Sequence, residues 1–236
     1  MQTALEITLS VALILPAVYL FLILSPQIYR LLQVYRWSKY TDKIALTYDD
    51  GPDGVTSIAL MDLLDDLGVK ATFYLVGFRA EREPKVVTQL AERGHELGTH
   101  SYSHQHAWKI SPWRDYADAE HAYEILSPNV KTTAPYRPPF GKISLVTLIA
   151  MRLKNRRVDW WTSPTNDTDD TFPDVEAAAK AILAKQKPVI LMHSHHDEPH
   201  RRAYMLAMTK ALVEQARAKR LKIVTMQDLR PQSADY

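Results

Sequence analysis

The chain opens on an apolar run that carries no charge from Ile7 to Tyr29, and thereafter alternates between short β-rich segments and longer helical ones. At about 1.5 Å of rise per residue the run reaches roughly 35 Å, enough to cross a hydrocarbon layer of about 30 Å. It predicts one N-terminal transmembrane helix, with Pro16 accommodated as membrane helices accommodate a kink. A cleaved signal peptide fits less well, because no Lys or Arg precedes the run and no small-x-small site follows Leu24. Tyr29, Tyr35, Trp37 and Tyr40 then alternate with Arg30, Arg36 and Lys39, a mixture that suits a headgroup interface as well as an ordinary linker. Residues 1–40 are therefore read as an anchor and interfacial linker, and residues 41–236 as one globular domain. Positive charges follow the run while Glu6 precedes it, which by the positive-inside rule leans the domain toward the cytoplasm.

Beyond Thr41, β-rich runs fall at 43–48, 71–76, 96–99, 134–137, 157–162, 189–193 and 221–225. Helical stretches lie between them near 57–67, 84–93, 113–126, 143–153, 175–185 and 201–219. Regular alternation of this kind predicts βα units on a parallel sheet or barrel, and seven strands is one short of the eight-stranded form. No internal repeat, low-complexity segment or second domain boundary interrupts it.

Composition narrows the function classes. The 29 basic and 27 acidic residues give a net charge of only +2 and are mixed along the chain, so no nucleic-acid footprint stands out. The absence of cysteine removes disulfides, thiolate metal sites and cysteine nucleophiles, and leaves the redox compartment open.

The candidate chemistry is dispersed but ordered. Ile44 to Tyr48 reads as a buried strand that delivers Asp49 and Asp50 at its C-terminal end, with Gly51-Pro52 making the turn; in a βα barrel that end is the active face. Adjacent carboxylates repel each other unless a cation or an arginine divides them between two roles. His100 and His104, four apart after the run Glu96 to Thr99, are expected on one side of a helical turn on the same face. With His193, these residues supply one carboxylate and two imidazoles for a divalent cation, and a spare carboxylate and imidazole for proton transfer. That is the equipment of a metal-dependent hydrolase. Taken alone, Asp-Asp-Gly-Pro is an ordinary solvated turn.

The series is more specific than any member. Thr47-Tyr48-Asp49-Asp50-Gly51-Pro52, the stretch Ala71 to Gly77, Gly94 to His104, Arg137-Pro138-Pro139-Phe140-Gly141 and Leu191-Met192-His193 resemble the ordered motifs of polysaccharide deacetylases, the family-four carbohydrate esterases with the NodB homology domain, over about residues 43–229. The resemblance implies a distorted (β/α)7 barrel that removes N-acetyl, sometimes O-acetyl, groups from glycans. It casts Asp50, His100 and His104 as ligands of one divalent ion, zinc first, with cobalt, nickel or manganese also admissible. It casts Asp49 as general base toward the attacking water, Arg137 as the group that orients it, and His193 as the acid that protonates the leaving amine. Phe140 would contribute an oxyanion-binding backbone N–H, and Leu191 would wall the acetyl pocket.

One motif departs from the family pattern, which places an Asp three residues after a strand tryptophan and an Asp-Trp pair beginning six after it. Counting from Trp161, Pro164 replaces the first Asp and Asp167-Thr168 replaces the pair. Asp167 remains as the partner of His193, with Asp159, Asp169 and Asp170 as possible substitutes, and the glycan-facing wall around Trp161 loses its tryptophan neighbour. His195 and His196 are expected in solvent, His95 and His121 as structural, and Trp108 and Trp113 either against sugar rings or capping the core. The expected activity is a membrane-anchored, metal-dependent N-deacetylase of a glycan or glycolipid, with no nucleic-acid partner. The alternatives are a cytoplasmic-face deacylase or deformylase of a lipid-linked or nucleotide-linked sugar, and a non-catalytic glycan-binding scaffold.

Overall fold

Residues 18, 21–22 and 24–229 are described by the structure, a computed structural model. Most of the expected anchor, 7–29, lies outside these residues. Among the described residues, no helix is long and apolar enough to cross a membrane.

The strands are β1 (Lys43–Asp49), β2 (Thr72–Leu75), β3 (Glu96–Thr99), β4 (Ser163–Pro164), β5 (Val189–His193) and β6 (Lys222–Val224). They form one parallel sheet in the order β3-β2-β1-β5-β4, with β6 paired to the start of β1. Isolated parallel bridges join Thr99 to Tyr136 and Tyr136 to Val158. Val158 belongs to the segment that runs into β4, so the pairings leave β3 and return through β4 and β5 to β1.

Residues 24–37 form helix α1. After it come α2 (Thr56–Asp66), α3 (Gly77–Arg82), α4 (Pro84–Glu92), α5 (Pro112–Leu126), α6 (Leu145–Leu153), α7 (Val175–Ala184), α8 (Pro199–Ala218) and α9 (Met226–Leu229). Several begin where the sequence offers a cap: Ser111, Ser144 and Asp174 accept from the backbone N–H groups of Arg114, Thr147 and Ala177.

The period of two along β1 separates its roles. Thr47 and Asp49 share one face, where both meet Arg137. Tyr48, on the other face, stacks on Phe73 and reaches Thr209 of α8 at 2.9 Å. Helices therefore cover one face with hydrocarbon, and the other encloses polar groups in a dry interior.

The expected strands at 134–137 and 157–162 shrink to the bridges at Tyr136 and Val158, with regular pairing resuming only at β4. The cause is chemical: Pro135, Pro138, Pro139 and Pro164 carry no N–H for a ladder. Close approach persists, since a Cβ on Gly98 would lie 2.6 Å from the carbonyl oxygen of Pro135. Helix α3 was not expected; its six residues are too few for a periodic signal. Helix α1 docks on the domain, burying Gln33 and Trp37 and packing Tyr29 edge-on against Trp160 at 5.9 Å.

Candidate active site

The C-terminal ends of β1, β3 and β5 bring the predicted residues together. Asp49 closes β1, and Asp50 leaves it with a φ of 69°. His100 follows β3 directly. His104 is four residues on, yet the two histidines do not ride a helical turn: residues 100–106 are irregular, with φ of 60° at Ser101 and 55° at His104. The spacing is met by a tight loop, pinned where the His104 N–H donates to Ser101 Oγ at 3.0 Å.

One ligand atom each from Asp50, His100 and His104 lies within 4.8 Å of the others. Asp50 Oδ1 stands 3.0 Å from His104 Nε2 and 3.4 Å from His100 Nε2. These approaches are close in distance but poor in angle, because that buried oxygen makes no directed hydrogen bond. His100 Nδ1 lies 2.7 Å from the backbone carbonyl of Arg137, which can only accept, so Nδ1 carries the proton and Nε2 turns its lone pair toward Asp50. A carboxylate and an imidazole lone pair aimed at one point fit a divalent cation. Burial alone would raise the Asp50 carboxyl, but without an ion the neighbouring imidazoles, acting as proton donors to it, outweigh burial and hold it well below the usual carboxylate range, and a cation would take the place of those protons.

Asp49 faces the same point from a drier position. Its Oδ1 accepts from Arg137 at 2.7 Å, its Oδ2 lies 3.8 Å from His100 Nε2, and both members of the pair are buried. Arg137 is held in turn by Thr47 Oγ1 at 2.8 Å, by the carbonyl of Trp160 at 3.2 Å and by the face of Tyr74 at 3.9 Å. The adjacent carboxylates thus occupy different environments, one beside a guanidinium and one among imidazoles.

His193 ends β5 beside Asp49, its register partner. Its Nδ1 meets Asp167 Oδ1 at 3.0 Å, and its backbone N–H donates to Asp167 Oδ2 at 2.7 Å. Burial disfavours the imidazolium, but the charge and hydrogen bond of Asp167 prevail and raise the histidine to about 9. Asp167 is correspondingly held far below the ordinary carboxylate range. The other candidate partners lie elsewhere. Asp159 binds Tyr74 and Arg157, Asp170 pairs with Arg201, and the Asp169 N–H donates to the carbonyl of Asn166.

His196, expected in solvent, is buried, with Nε2 3.2 Å from Asp167 Oδ2. No local pattern announces it; its burial comes from the loop folding back over Asp167. His195 is only partly exposed and meets Asp53 at 3.1 Å. Asp53 also accepts from the N–H groups at the start of α2, and the histidine and these amides hold its carboxyl low against the opposing effect of burial.

The walls are mixed. Phe140 has a φ of 56°, is half exposed, and lies 4.8 Å from the ring of His104 and 5.2 Å from that of His106. Leu191 is buried, and its carbonyl accepts from Thr165 Oγ1. Trp161 packs on Gly141 beneath Arg30 of α1, whose guanidinium lies 5.5 Å from its ring. Trp108 and Trp113 are exposed, with Lys142 over Trp108 at 4.2 Å, so neither caps the core. His95 is buried and meets Phe73 edge-on, structural as expected, whereas His121 is exposed and stacks on Tyr102.

The family model of polysaccharide deacetylases matches residues 38–158, half of the chain. A peptidoglycan-N-acetylglucosamine deacetylase of Bacillus cereus is 28% identical over 188 residues, spanning 79% of this chain and 87% of the relative. A chitooligosaccharide deacetylase of Sinorhizobium fredii is 28% identical over 156 residues, spanning 64% and 71%. The fold superposes with a TM-score of 0.74 on a crystal structure of a peptidoglycan N-acetylglucosamine deacetylase in complex with an N-oxidanyl-benzamide compound, at 27% identity and covering 83% and 91% of the two chains. The chain belongs to the polysaccharide deacetylase family and is a carbohydrate deacetylase.

Proposed function

We propose that this deacetylase hydrolyses the N-linked acetyl group of a sugar, with Asp49 as general base, His193 as general acid, and one divalent cation on Asp50, His100 and His104. The observation that supports this most is the convergence of those three ligand atoms within 4.8 Å beside two separately tethered proton carriers. When bound, the cation supplies Lewis-acid polarisation of water and of the acyl carbonyl. Zinc suits one carboxylate and two imidazoles best, and cobalt, nickel or manganese accept the same set.

The protein's own groups divide the proton traffic. Asp49, oriented by Arg137, accepts the proton of the attacking water as the carbonyl becomes tetrahedral. His193, protonated at neutral pH because of Asp167, donates to the nitrogen as the C–N bond breaks, and a carboxylic acid and an amino sugar leave. The backbone N–H at Phe140 is assigned to the developing oxyanion, Leu191 to the acetyl pocket, and Trp161 to the sugar side of the cleft. The returning sequence of parallel pairings supports a distorted (β/α)7 barrel over residues 41–236, and the uncharged run in 1–40 supports a single-pass anchor. Since the relatives act on N-acetylglucosamine of peptidoglycan and on chitooligosaccharides, an N-acetylglucosamine-type glycan is the first substrate to offer.

The test is acetate release by the full-length protein, stripped with a chelator and reloaded with each metal in turn, from N-acetylated oligosaccharides and peptidoglycan fragments. Release restored by one metal and absent in the stripped enzyme is expected; no release at any loading would sink the proposal. A second reading, a cytoplasmic-face deacylase or deformylase of a lipid-linked or nucleotide-linked sugar, draws on the positive charges after Tyr29. A C-terminal reporter active only in the periplasm would exclude it.

A further inference from the structure

Helix α1 connects to the active site through direct contacts. Arg30 lies over Trp161, Trp161 lies against Gly141, where a Cβ would come within 3.0 Å of its ring, and the preceding residue, Phe140, has its ring 4.8 Å from His104. Tyr29 packs on Trp160 and accepts from Arg152 of α6 at 3.0 Å. Tyr29, Arg30, Gln33 and Trp37 of the helix are thus spent on the domain.

Its outer face is apolar apart from Arg36, which is exposed one turn after Leu32. Phe21, Leu24, Ile28, Leu31 and Tyr35 recur at helical spacing and are 49–66% exposed, with Leu32 beside them. A surface helix normally turns its charged side outward, and an exposed apolar stripe marks a contact surface. Ile149 and Leu153 of α6, the helix tied to Tyr29, extend the exposed hydrocarbon.

The surrounding sequence selects the occupant. The stripe continues the uncharged run that begins at Ile7, and between Ile7 and Thr41 the only charged residues are Arg30, Arg36 and Lys39. Lys39 sits 4.9 Å from the ring of Tyr35 at the end of the stripe, the cation and aromatic pair typical of headgroup depth. Anionic headgroups attract such cations, whereas a second copy of the same cationic helix repels them.

Resting on the deacetylase reading, we infer that a lipid bilayer covers the outer face of α1, and that the active-site mouth, tied to Arg30 through Trp161 and Phe140, opens at headgroup level onto an N-acetylated sugar carried on a lipid. The membrane thereby holds the substrate as well as the enzyme. The exposed rings of Phe140 and Trp108, with half-buried Lys142 over Trp108, are placed where the sugar and its lipid headgroup meet.

Because the chain has no cysteine, single-cysteine variants carry an environment-sensitive fluorophore at one site. Full-length Leu31→Cys, Leu153→Cys and Lys210→Cys proteins are reconstituted into phosphatidylethanolamine–phosphatidylglycerol vesicles containing a spin-labelled lipid quencher. Lys210 lies exposed on α8, which packs on α7, α2 and β6, and serves as the aqueous control. Labels at 31 and 153 should be quenched several-fold more than the label at 210. Equal quenching at all three sites, or an aqueous spectrum at 31, overturns the proposal. In parallel, Leu31→Glu/Leu32→Glu should keep its rate on a soluble N-acetylated oligosaccharide within about twofold and lose at least tenfold on the same sugar attached to a lipid in vesicles. Equal rates on the vesicle-held sugar overturn the inference, as does a wild-type dimer in detergent that the double variant converts to monomer. Failure of the wild type on the soluble sugar as well indicts the deacetylase reading instead, while the quenching data still decide what covers α1.

Discussion

Replacing Asp49 by Asn tests the division of labour between the two aspartates most sharply. Asp49 and Arg137 form a buried ion pair at 2.7 Å. Removing one member of such a pair costs about 3–5 kcal/mol, because the remaining charge is stranded without solvent. Asn retains a carbonyl oxygen that can accept from Arg137, which places the expected loss near the lower figure, about 3 kcal/mol. At roughly 2–4 °C per kcal/mol for a chain of this size, the melting temperature should fall by roughly 6–12 °C. The rate should fall by about 10² to 10⁴, because an amide cannot take a proton from water. Metal stoichiometry should be unchanged, since the ligand atoms belong to Asp50, His100 and His104. The double variant Asp49→Asn/Arg137→Met separates the effects: with the stranded charge gone, much of the stability should return while the rate stays low. Calorimetry, metal analysis and acetate release on the same preparations, assayed below the lowest melting temperature, read all three quantities. An Asp49→Asn protein that turns over at near the wild-type rate would refute the base assignment even with the metal triad intact.

The remaining expectations concern neighbouring groups. His104→Ala should weaken metal affinity by at least the 10-fold to 100-fold typical of losing an outer support, read by titration calorimetry; unchanged affinity removes the triad. His193, raised to about 9 in the metal-free protein, contributes stability that is complete below its unfolded value near 6.5 and is lost as the pH rises through about 9. In Asp167→Asn, burial acts unopposed by that carboxylate, so the imidazole resonances should titrate well below 9; an unmoved titration would disprove the pairing. His196→Ala withdraws one buried donor from Asp167 and should cost about 1–3 kcal/mol in denaturant unfolding, and a cost near zero would show that His196 is not a support.

Much of the site was legible because it sits at strand ends, where the period of two fixes which residue faces inward. Asp49 follows Thr47 on the interior face of β1, and His193 is its register partner on β5. The histidine pair was legible in identity but not in conformation, because a spacing of four is also met by a loop with two left-handed residues. Asp167 was recoverable by counting from Trp161 although Pro164 and Thr168 replace its usual companions. His196 was not recoverable, since its burial depends on a contact between residues 29 positions apart. The strands around Tyr136 and Val158 were overread for a related reason: β propensity does not register that neighbouring prolines lack the donors a ladder needs.

Four side chains at the mouth of the site, those of Asp50, Ser101, His104 and Phe140, hang from left-handed backbone that non-glycine residues adopt only at a cost of about 1–3 kcal/mol each. Such conformations persist only where the surrounding contacts leave no alternative, so two of the three ligands are held in place before any ion arrives. A search for more stable variants would be drawn to these positions, since glycine there relieves the strain directly. Glycine at Asp50 or His104 would delete a ligand and at Ser101 or Phe140 would let the ligand loops wander, so thermostability and turnover should trade against each other here, and an improved scaffold is better sought in the helices on the far side of the sheet.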